Sequence, residues 1–191
     1  MIKHLGTALR VTIFSVVLFG LIYPLVMTGL AQTIFPKQAN GSLITINGKV
    51  VGSAIIGQLW TKPQYFQGRP SAAGKGYDPT STGGTNYGPT SKKLIDSTKN
   101  TIAQLEKDNP DAKGPPPIDL VTSSGSGIDP DISPESAYWE APRVAKTRHM
   151  SLSAVVALVA QHVQGRTFGF LGEPRVNVLE LNLALDGLKP Q

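Results

Sequence analysis

The dominant feature of the hydropathy pattern is one uninterrupted apolar run. No charged side chain occurs over residues 11–36, and residues 11–30 supply about the 20 positions a helix needs to cross hydrocarbon. Pro24 lies inside the run, removes a backbone donor and is expected to kink the helix, with a neighbouring helix accommodating the freed carbonyl. Lys3 and Arg10 flank the N-terminal end, so the positive-inside rule predicts a cytoplasmic tail over residues 1–10, an anchor over 11–34 and an outer domain over 35–191. A cleaved signal peptide competes with this reading, because Gly29, Leu30 and Ala31 offer small residues at a peptidase's spacing. The apolar run exceeds the usual signal core of about 7–15 residues, and a charge-free run of this length is uncommon in a soluble core.

Beyond the anchor the pattern breaks into short pieces. Residues 42–46 and 49–51 flank Asn47-Gly48, a pair that favours the left-handed backbone of a type I′ turn and so predicts a β-hairpin, with the second strand running on toward Ile56. Residues 57–90 are rich in Gly, Pro, Ser and Thr and read as irregular loops. Their aromatics (Trp60, Tyr65, Phe66, Tyr77 and Tyr87) argue against disorder. A helix is expected from Thr90 or Ser91 to Lys107, with Leu94, Thr98, Ile102 and Leu105 as a thin apolar stripe. Residues 108–117 read as a surface connection and 121–131 as a Ser/Gly loop.

Ser133-Pro134-Glu135 combines a capping hydroxyl, a proline suited to the first helical position and an acid that complements the dipole. Ala137, Ala141, Val144 and Ala145 then share one side, and Pro142 is expected to kink or split that helix. Ser151 opens another, with Leu152, Val155, Val156, Val159 and Val163 on its core face and Gly165 as its stop. Residues 176–185 carry both patterns. Leu179, Leu181, Leu183 and Leu185 alternate as in a strand, whereas Asn177 followed by Glu180 and a later Gly187 reads as a capped helix, the reading favoured here. The predicted fold class is α+β: one transmembrane helix followed by a mixed outer (periplasmic) domain with a β-hairpin and several helices.

Charge and composition narrow the chemistry. The net charge of +5 leaves sixteen basic and thirteen acidic residues after position 36, about +3. The basic residues do not cluster with aromatics, so no nucleic-acid groove is indicated. Cysteine is absent, which excludes disulfides and thiolate chemistry. Gly68-Arg-Pro-Ser-Ala-Ala-Gly-Lys-Gly76 misses the phosphate-loop spacing, puts Gly76 where a magnesium hydroxyl belongs and leads into Tyr77-Asp78-Pro79 rather than a helix. Asp129, Asp131, Ser133 and Glu140 follow a calcium-loop register, but Pro134 replaces the glycine of the sharp turn. Ser126 lacks the first glycine of a nucleophile elbow. His4, His149 and His162 show no metal-ligand spacing. Arg143, Lys146 and Arg148 read as a solvated helix face near a C-terminus, and Asp119 with Glu140 is the one carboxylate pair worth testing in space. No self-contained active site emerges, which favours an accessory or interaction module.

Six ordered segments carry a resemblance to a known family: Gly52-Ser-Ala-Ile-Ile-Gly-Gln58, Phe66-Gln-Gly-Arg-Pro-Ser71, Gly83-Gly-Thr-Asn-Tyr-Gly-Pro89, the stretch 119–134, Pro142-Arg-Val-Ala-Lys-Thr-Arg148 and the stretch 172–186. With the single N-terminal span, they resemble the C subunit of the bacterial Kdp-type potassium-transporting ATPase over nearly the whole chain. The resemblance implies a non-catalytic subunit of an ATP-driven potassium uptake system in the cell membrane. Its partners would be a potassium-binding A subunit, an ATP-hydrolysing B subunit and a small F subunit, with membrane lipid around the anchor. It further implies a role in assembly and in raising the ATP affinity of the B subunit. No cofactor is expected to be held firmly by this chain, ATP entering through the complex. The family's proposed nucleotide contact maps onto Gly83, Gly84 and Glu140, the last standing where the family often has glutamine. A carboxylate beside a triphosphate is repulsive without an intervening cation, and an outer domain faces away from cytoplasmic ATP. Tyr65, Phe66 and Tyr87, as exposed aromatics, and Pro24 in the anchor are the expected partner contacts. The alternative is a free-standing anchored or secreted envelope protein, either a binding module or a hydrolase using Ser126.

Overall fold

The computed structural model describes residues 2–188; Met1 and residues 189–191, the extremities of the expected tail and outer domain, lie outside the described residues, as do the side chains of Ile2 and Lys3. The chain divides into two compact units, Met1–Leu43 and Ile44–Gln191.

The first unit is helical. α1 (Ile2–Ser15) passes into a π-helical stretch, Val16–Ile22, and then into α2 (Tyr23–Ile34), before a short α3 (Pro36–Ala39). One continuous segment, His4–Ile34, is long and apolar enough to cross a membrane, and none of its apolar window is buried within the chain. The π stretch answers the question raised by Pro24. Proline lacks the N–H that would bond the carbonyl four residues back, and its ring crowds that carbonyl. Immediately before it the helix widens to i→i−5 pairing, seen where the Tyr23 N–H donates to the Leu18 carbonyl.

The second unit is α+β. β1 (Leu43–Ile46) and β2 (Lys49–Ser53) form the hairpin, with Asn47 and Gly48 both at positive φ as the turn requires. Ile44 and Ile46 point inward against Leu179 and Leu183. β2 stops at Ser53 instead of reaching Ile56 as a strand; the chain turns there, closed by one bridge between Ser53 and Ile56. Residues 57–90 hold no helix or strand. α4 (Lys92–Asp108) follows, its stripe facing the body through buried Leu105 and half-buried Leu94, Thr98 and Ile102. A one-turn α5 (Ile118–Val121) was not anticipated.

β3 (Asp131–Ile132) leads into α6 (Pro134–Thr147), then α7 (Leu152–His162), β4 (Val163–Gln164), β5 (Arg175–Asn177) and α8 (Val178–Leu185). The three short strands make an antiparallel sheet in the order β3-β5-β4, with Val176 paired to Ile132 on one side and Val163 on the other. Ser133 caps α6 and Ser151 caps α7, each accepting the N–H three residues on. α6 runs through Pro142 as a single helix rather than splitting. Pro142 is its ninth residue, so only the Tyr138 carbonyl loses its partner, and Tyr138 is on the exposed side.

Three further expectations change. α7 ends at His162, and its buried core face is Val155 and Val159 with Leu158 half-buried beside them; Leu152 and Val156 are exposed, and Val163 packs on the core from the sheet. The ambiguous segment 176–185 is both things in turn: the strand ends at Asn177, whose side chain accepts the Glu180 N–H and starts the helix. Phe66 is 0% exposed at the centre of the main cluster with Ala137, Val144, Val155, Val159, Val176 and Leu181. It is therefore a core side chain and not an exposed contact. Phe66→Ala should lower unfolding stability by about 3–5 kcal/mol in detergent-solubilised chain, whereas exposed Tyr87→Ala should stay within about 0.5 kcal/mol, as read by urea denaturation.

Candidate functional site

The densest concentration of charge and hydrogen bonding surrounds residues 63–67, a stretch of irregular backbone that runs from exposed Pro63 through half-buried Gln64 and Tyr65 to buried Phe66 and half-buried Gln67. Irregular backbone in a core has no ladder to satisfy it, so side chains must. Asn182 of α8, fully buried, accepts the Phe66 N–H at 2.9 Å and donates to the Phe66 carbonyl at 2.9 Å. Glu140 of α6 accepts the Gln67 N–H at 3.0 Å. Arg143, one helical turn on, donates to the carbonyls of Pro63 and Tyr65 and forms an ion pair with Glu140. Its Nε reaches Asn109 Oδ1 at 2.8 Å, and Asn109 in turn donates to the Leu105 carbonyl at the end of α4. At the rim, Arg148 donates to the Gln64 carbonyl at 2.7 Å, pairs with Asp186 and lies 4.8 Å over the Tyr65 ring. The Tyr65 hydroxyl completes that corner by donating to Asp186 at 2.9 Å.

Glu140 is 0% exposed and Arg143 only 5%. Burial pushes the Glu140 carboxyl up from its ordinary value, while the Arg143 guanidinium and the Gln67 N–H oppose the rise. The expected solvated face therefore divides: Lys146 is exposed and meets Asp111, Arg148 is half-buried, and Arg143 is interior. Asn109, assigned by sequence to a surface connection, is buried as well. The i,i+3 spacing of Glu140 and Arg143 was the one available signal for the pair. Nothing in sequence pointed to Asn182 or Asn109, whose partners lie far along the chain.

A second lacework joins the loops. The Gly83 N–H donates to the Ser126 carbonyl at 2.8 Å, and a Cβ on Gly84 would come within 3.2 Å of the Gly125 carbonyl. Gly83 and Gly84 thus lie against residues 124–127, apart in sequence and in bonding from Glu140. Ser71 Oγ donates to the Gly127 carbonyl at 2.5 Å and accepts the N–H groups of Ala73 and Tyr77, so the phosphate-loop look-alike is closed upon its own serine. The Tyr77 hydroxyl donates to the Arg69 carbonyl at 2.6 Å, and its ring occupies space that a side chain at Gly57 would need. Arg69 pairs with Asp129 at 3.1 Å. Asp119 is spent on the start of α6, accepting from Ser133 N, Ser133 Oγ and Ser136 Oγ at 2.7, 3.1 and 2.6 Å. Ser126 Oγ accepts the Ile128 N–H, and no histidine bonds to it among the described residues. No group of three His, Cys, Asp or Glu suited to a metal occurs among the described residues.

An apolar helix long enough to cross a membrane, which nothing in its own unit covers, and a domain of helices and short strands together define a membrane-anchored α+β protein. The family model described as KdpC, K+-transporting ATPase c chain, matches residues 5–187, and the chain belongs to that family. A potassium-transporting ATPase KdpC subunit of Koribacter versatilis is 52% identical over 189 residues, covering 98% of this chain and 96% of its own length. Subunits of the same description from Myxococcus xanthus and Acidobacterium capsulatum are 56% and 54% identical, covering 94% and 96% of this chain and 86% and 98% of theirs. The chain is thus an accessory subunit in potassium transport, and membership of an ATPase complex implies partner subunits.

Two outcomes follow from this geometry. Removing Arg143 strands a buried carboxylate and the acceptors on Pro63, Tyr65 and Asn109. Arg143→Met should therefore cost about 3–5 kcal/mol in urea denaturation, and Glu140→Gln, which leaves an acceptor for Gln67, should cost less. The second concerns alkali: burial pushes the Tyr77 phenol up to about 12, with Asp129 adding and Arg69 opposing. Between an ordinary value near 10 and that limit the native phenol keeps a proton that the unfolded chain releases, so stability falls as pH rises through the window. Tyr77→Phe should flatten this fall, on the order of 2 kcal/mol, in unfolding curves taken from about pH 9 to 12.

Proposed function

We propose that this chain is a non-catalytic subunit that holds a potassium-uptake ATPase together, with its N-terminus cytoplasmic and its domain on the outer side. The single observation that carries the proposal is the inward use of the chemistry: Glu140, Arg143, Asp119, Ser133 and Ser136 are consumed in bonds that shape the fold. The domain also presents an apolar groove lined by Tyr138, Trp139, Pro142, Leu152 and Val156, with Asp111, Lys113 and Glu135 beside them. Gly20 and Gly29 in the anchor meet at most a Val16 methyl within 4 Å and leave room for a closely packed helix. Lys3 and Arg10 favour the inward placement of the N-terminus. The partners on this reading are a potassium-binding A subunit, an ATP-hydrolysing B subunit and a small F subunit.

Any influence on ATP affinity then acts through assembly of the B subunit and not through a nucleotide held by this chain. In support, both Glu140 oxygens are engaged, and Gly83 and Gly84 back onto another loop. The test is tagged purification from detergent-solubilised membranes of potassium-starved cells, followed by potassium-stimulated ATPase assay. A large ATPase and a channel-like protein should accompany the tag, and removal of this chain should abolish activity; a chain recovered alone would favour a free-standing envelope protein. Glu140→Ala separates the two ATP readings. The assembly reading predicts a lower yield of complex with an unchanged KM for ATP in what assembles, whereas a nucleotide ligand would shift KM at full yield.

A further inference from the structure

The hairpin between β4 and β5 ends in Gly165-Arg-Thr-Phe-Gly-Phe-Leu-Gly172, and its apolar side chains face outward: Phe168 is 83% exposed, Phe170 69% and Leu171 49%. Phe168 also sits at φ +54°, a left-handed backbone that costs a non-glycine residue energy. A turn that keeps a bulky aromatic in that conformation, with its ring in water, invites a functional explanation.

The backbone of this tip is largely self-sufficient. Thr167 and Leu171 exchange both N–H···O bonds at 2.9 Å, Gly169 N–H donates to the Arg166 carbonyl at 3.0 Å and Phe170 N–H to the Thr167 carbonyl at 3.3 Å. No charged side chain lies between Arg166 and Glu173, and these two neutralise each other across the base at 2.6 Å. A contact with a protein pocket could use free N–H groups for specificity. A medium that offers no hydrogen bonds instead requires them to be satisfied beforehand. The N–H groups of Thr167, Gly169, Phe170 and Leu171 meet that requirement, and the apex at Phe168 suits the headgroup boundary, where water still reaches the backbone.

The length of the connection favours the same occupant. Only nine residues, 35–43, four of them in α3, separate the end of α2 from the domain, a reach below the roughly 30 Å of a fully extended chain. A domain of this size has a radius of gyration of roughly 15 Å, so the anchor keeps its surface close to the membrane, which is always present at high effective concentration. We infer that the 166–173 tip dips Phe168, Phe170 and Leu171 into the lipid interface of the bilayer in which the chain is anchored. Small apolar insertions of this kind enter the boundary between headgroups and acyl chains. The inference holds for either orientation of the anchor, because both leaflets present an interface, and so it stands apart from the proposed assembly role.

The experiment uses the full chain in lipid nanodiscs, with Phe168→Trp as a fluorescent probe and the unvaried chain, which carries Trp60 and Trp139, as background. Lipid contact predicts a shift of the added emission to shorter wavelength and loss of most of it when the lipids are brominated on their acyl chains. Adding Phe170→Asp and Leu171→Asp should reverse both effects. Phe170→Trp repeats the measurement at ordinary backbone geometry, in case the larger ring of the Phe168→Trp variant disturbs the turn. Added emission that brominated lipids leave untouched at both positions would overturn the inference. Shielding that arises only when the partner subunits are present would also overturn it, by placing a protein pocket over the tip.

Discussion

The domain depends on the satisfaction of one irregular stretch of backbone that carries Phe66 into the core. Residues 63–67 enter the core at Phe66 without a strand partner, and each N–H or C=O left unpaired where the chain is buried would cost about 1–3 kcal/mol. Asn182 acts as a one-residue substitute for a neighbouring strand, bonding both the donor and the acceptor of Phe66. Glu140 and Arg143 do the same for the residues on either side. The Phe66 ring can occupy the centre of the core because its own peptide group is provided for. Packing and polar satisfaction are here one requirement, and a single helical turn of α6 meets much of it.

The buried ion pair follows from that requirement. Isolated from water, a Glu–Arg contact is a poor source of stability, since desolvation offsets most of the attraction. Here both partners have further work: the carboxylate receives a backbone N–H, and the guanidinium distributes its donors among two carbonyls, Asn109 and Glu140. The network ties the end of α4, the middle of α6 and the loop together at residues distant in sequence. It specifies how these elements meet, which a smooth apolar contact among short helices and two- or three-residue strands would leave loosely defined.

The parts legible in sequence were those governed by local rules. Ser133 and Ser151 were recognisable as caps because a cap is decided by the next three residues, and Asn47-Gly48 because a two-residue turn needs its own φ values. The anchor was legible from length and absence of charge. Long-range pairing was not. Arg143 looked like a solvated cation near a helix end, since nothing local shows that Pro63 and Tyr65, about 80 positions earlier, present their carbonyls to it. Phe66 looked like a loop aromatic for the same reason. Pro142 misled in the opposite way: the rule that proline breaks helices is local, but its cost falls on one carbonyl, and packing of Ala137, Ala141, Val144 and Ala145 outweighs it. Residues 176–185 defeated a choice between two states because the chain changes state at Asn177, which ends a strand and caps a helix with the same side chain.

These internal connections bear on how such a subunit can act on a pump. Glu140, Arg143 and Asn182 join this domain's helices to its own irregular backbone. Rigid irregular segments, fastened from several helices, hold surface features in fixed places without a large sheet to do so. The anchor makes complementary use of the opposite device. Its π-helical stretch ahead of Pro24 keeps a proline in an otherwise regular span, and the wider turn leaves a helix surface that differs from an ideal α-helix over residues 16–22. In lipid, where apolar surface alone gives helices no reason to associate, such irregularities and small residues such as Gly20 and Gly29 are what distinguish one packing partner from another. Fastened loops in the domain and irregularity in the span thus answer one demand, that a small chain meet its partner subunits at defined places.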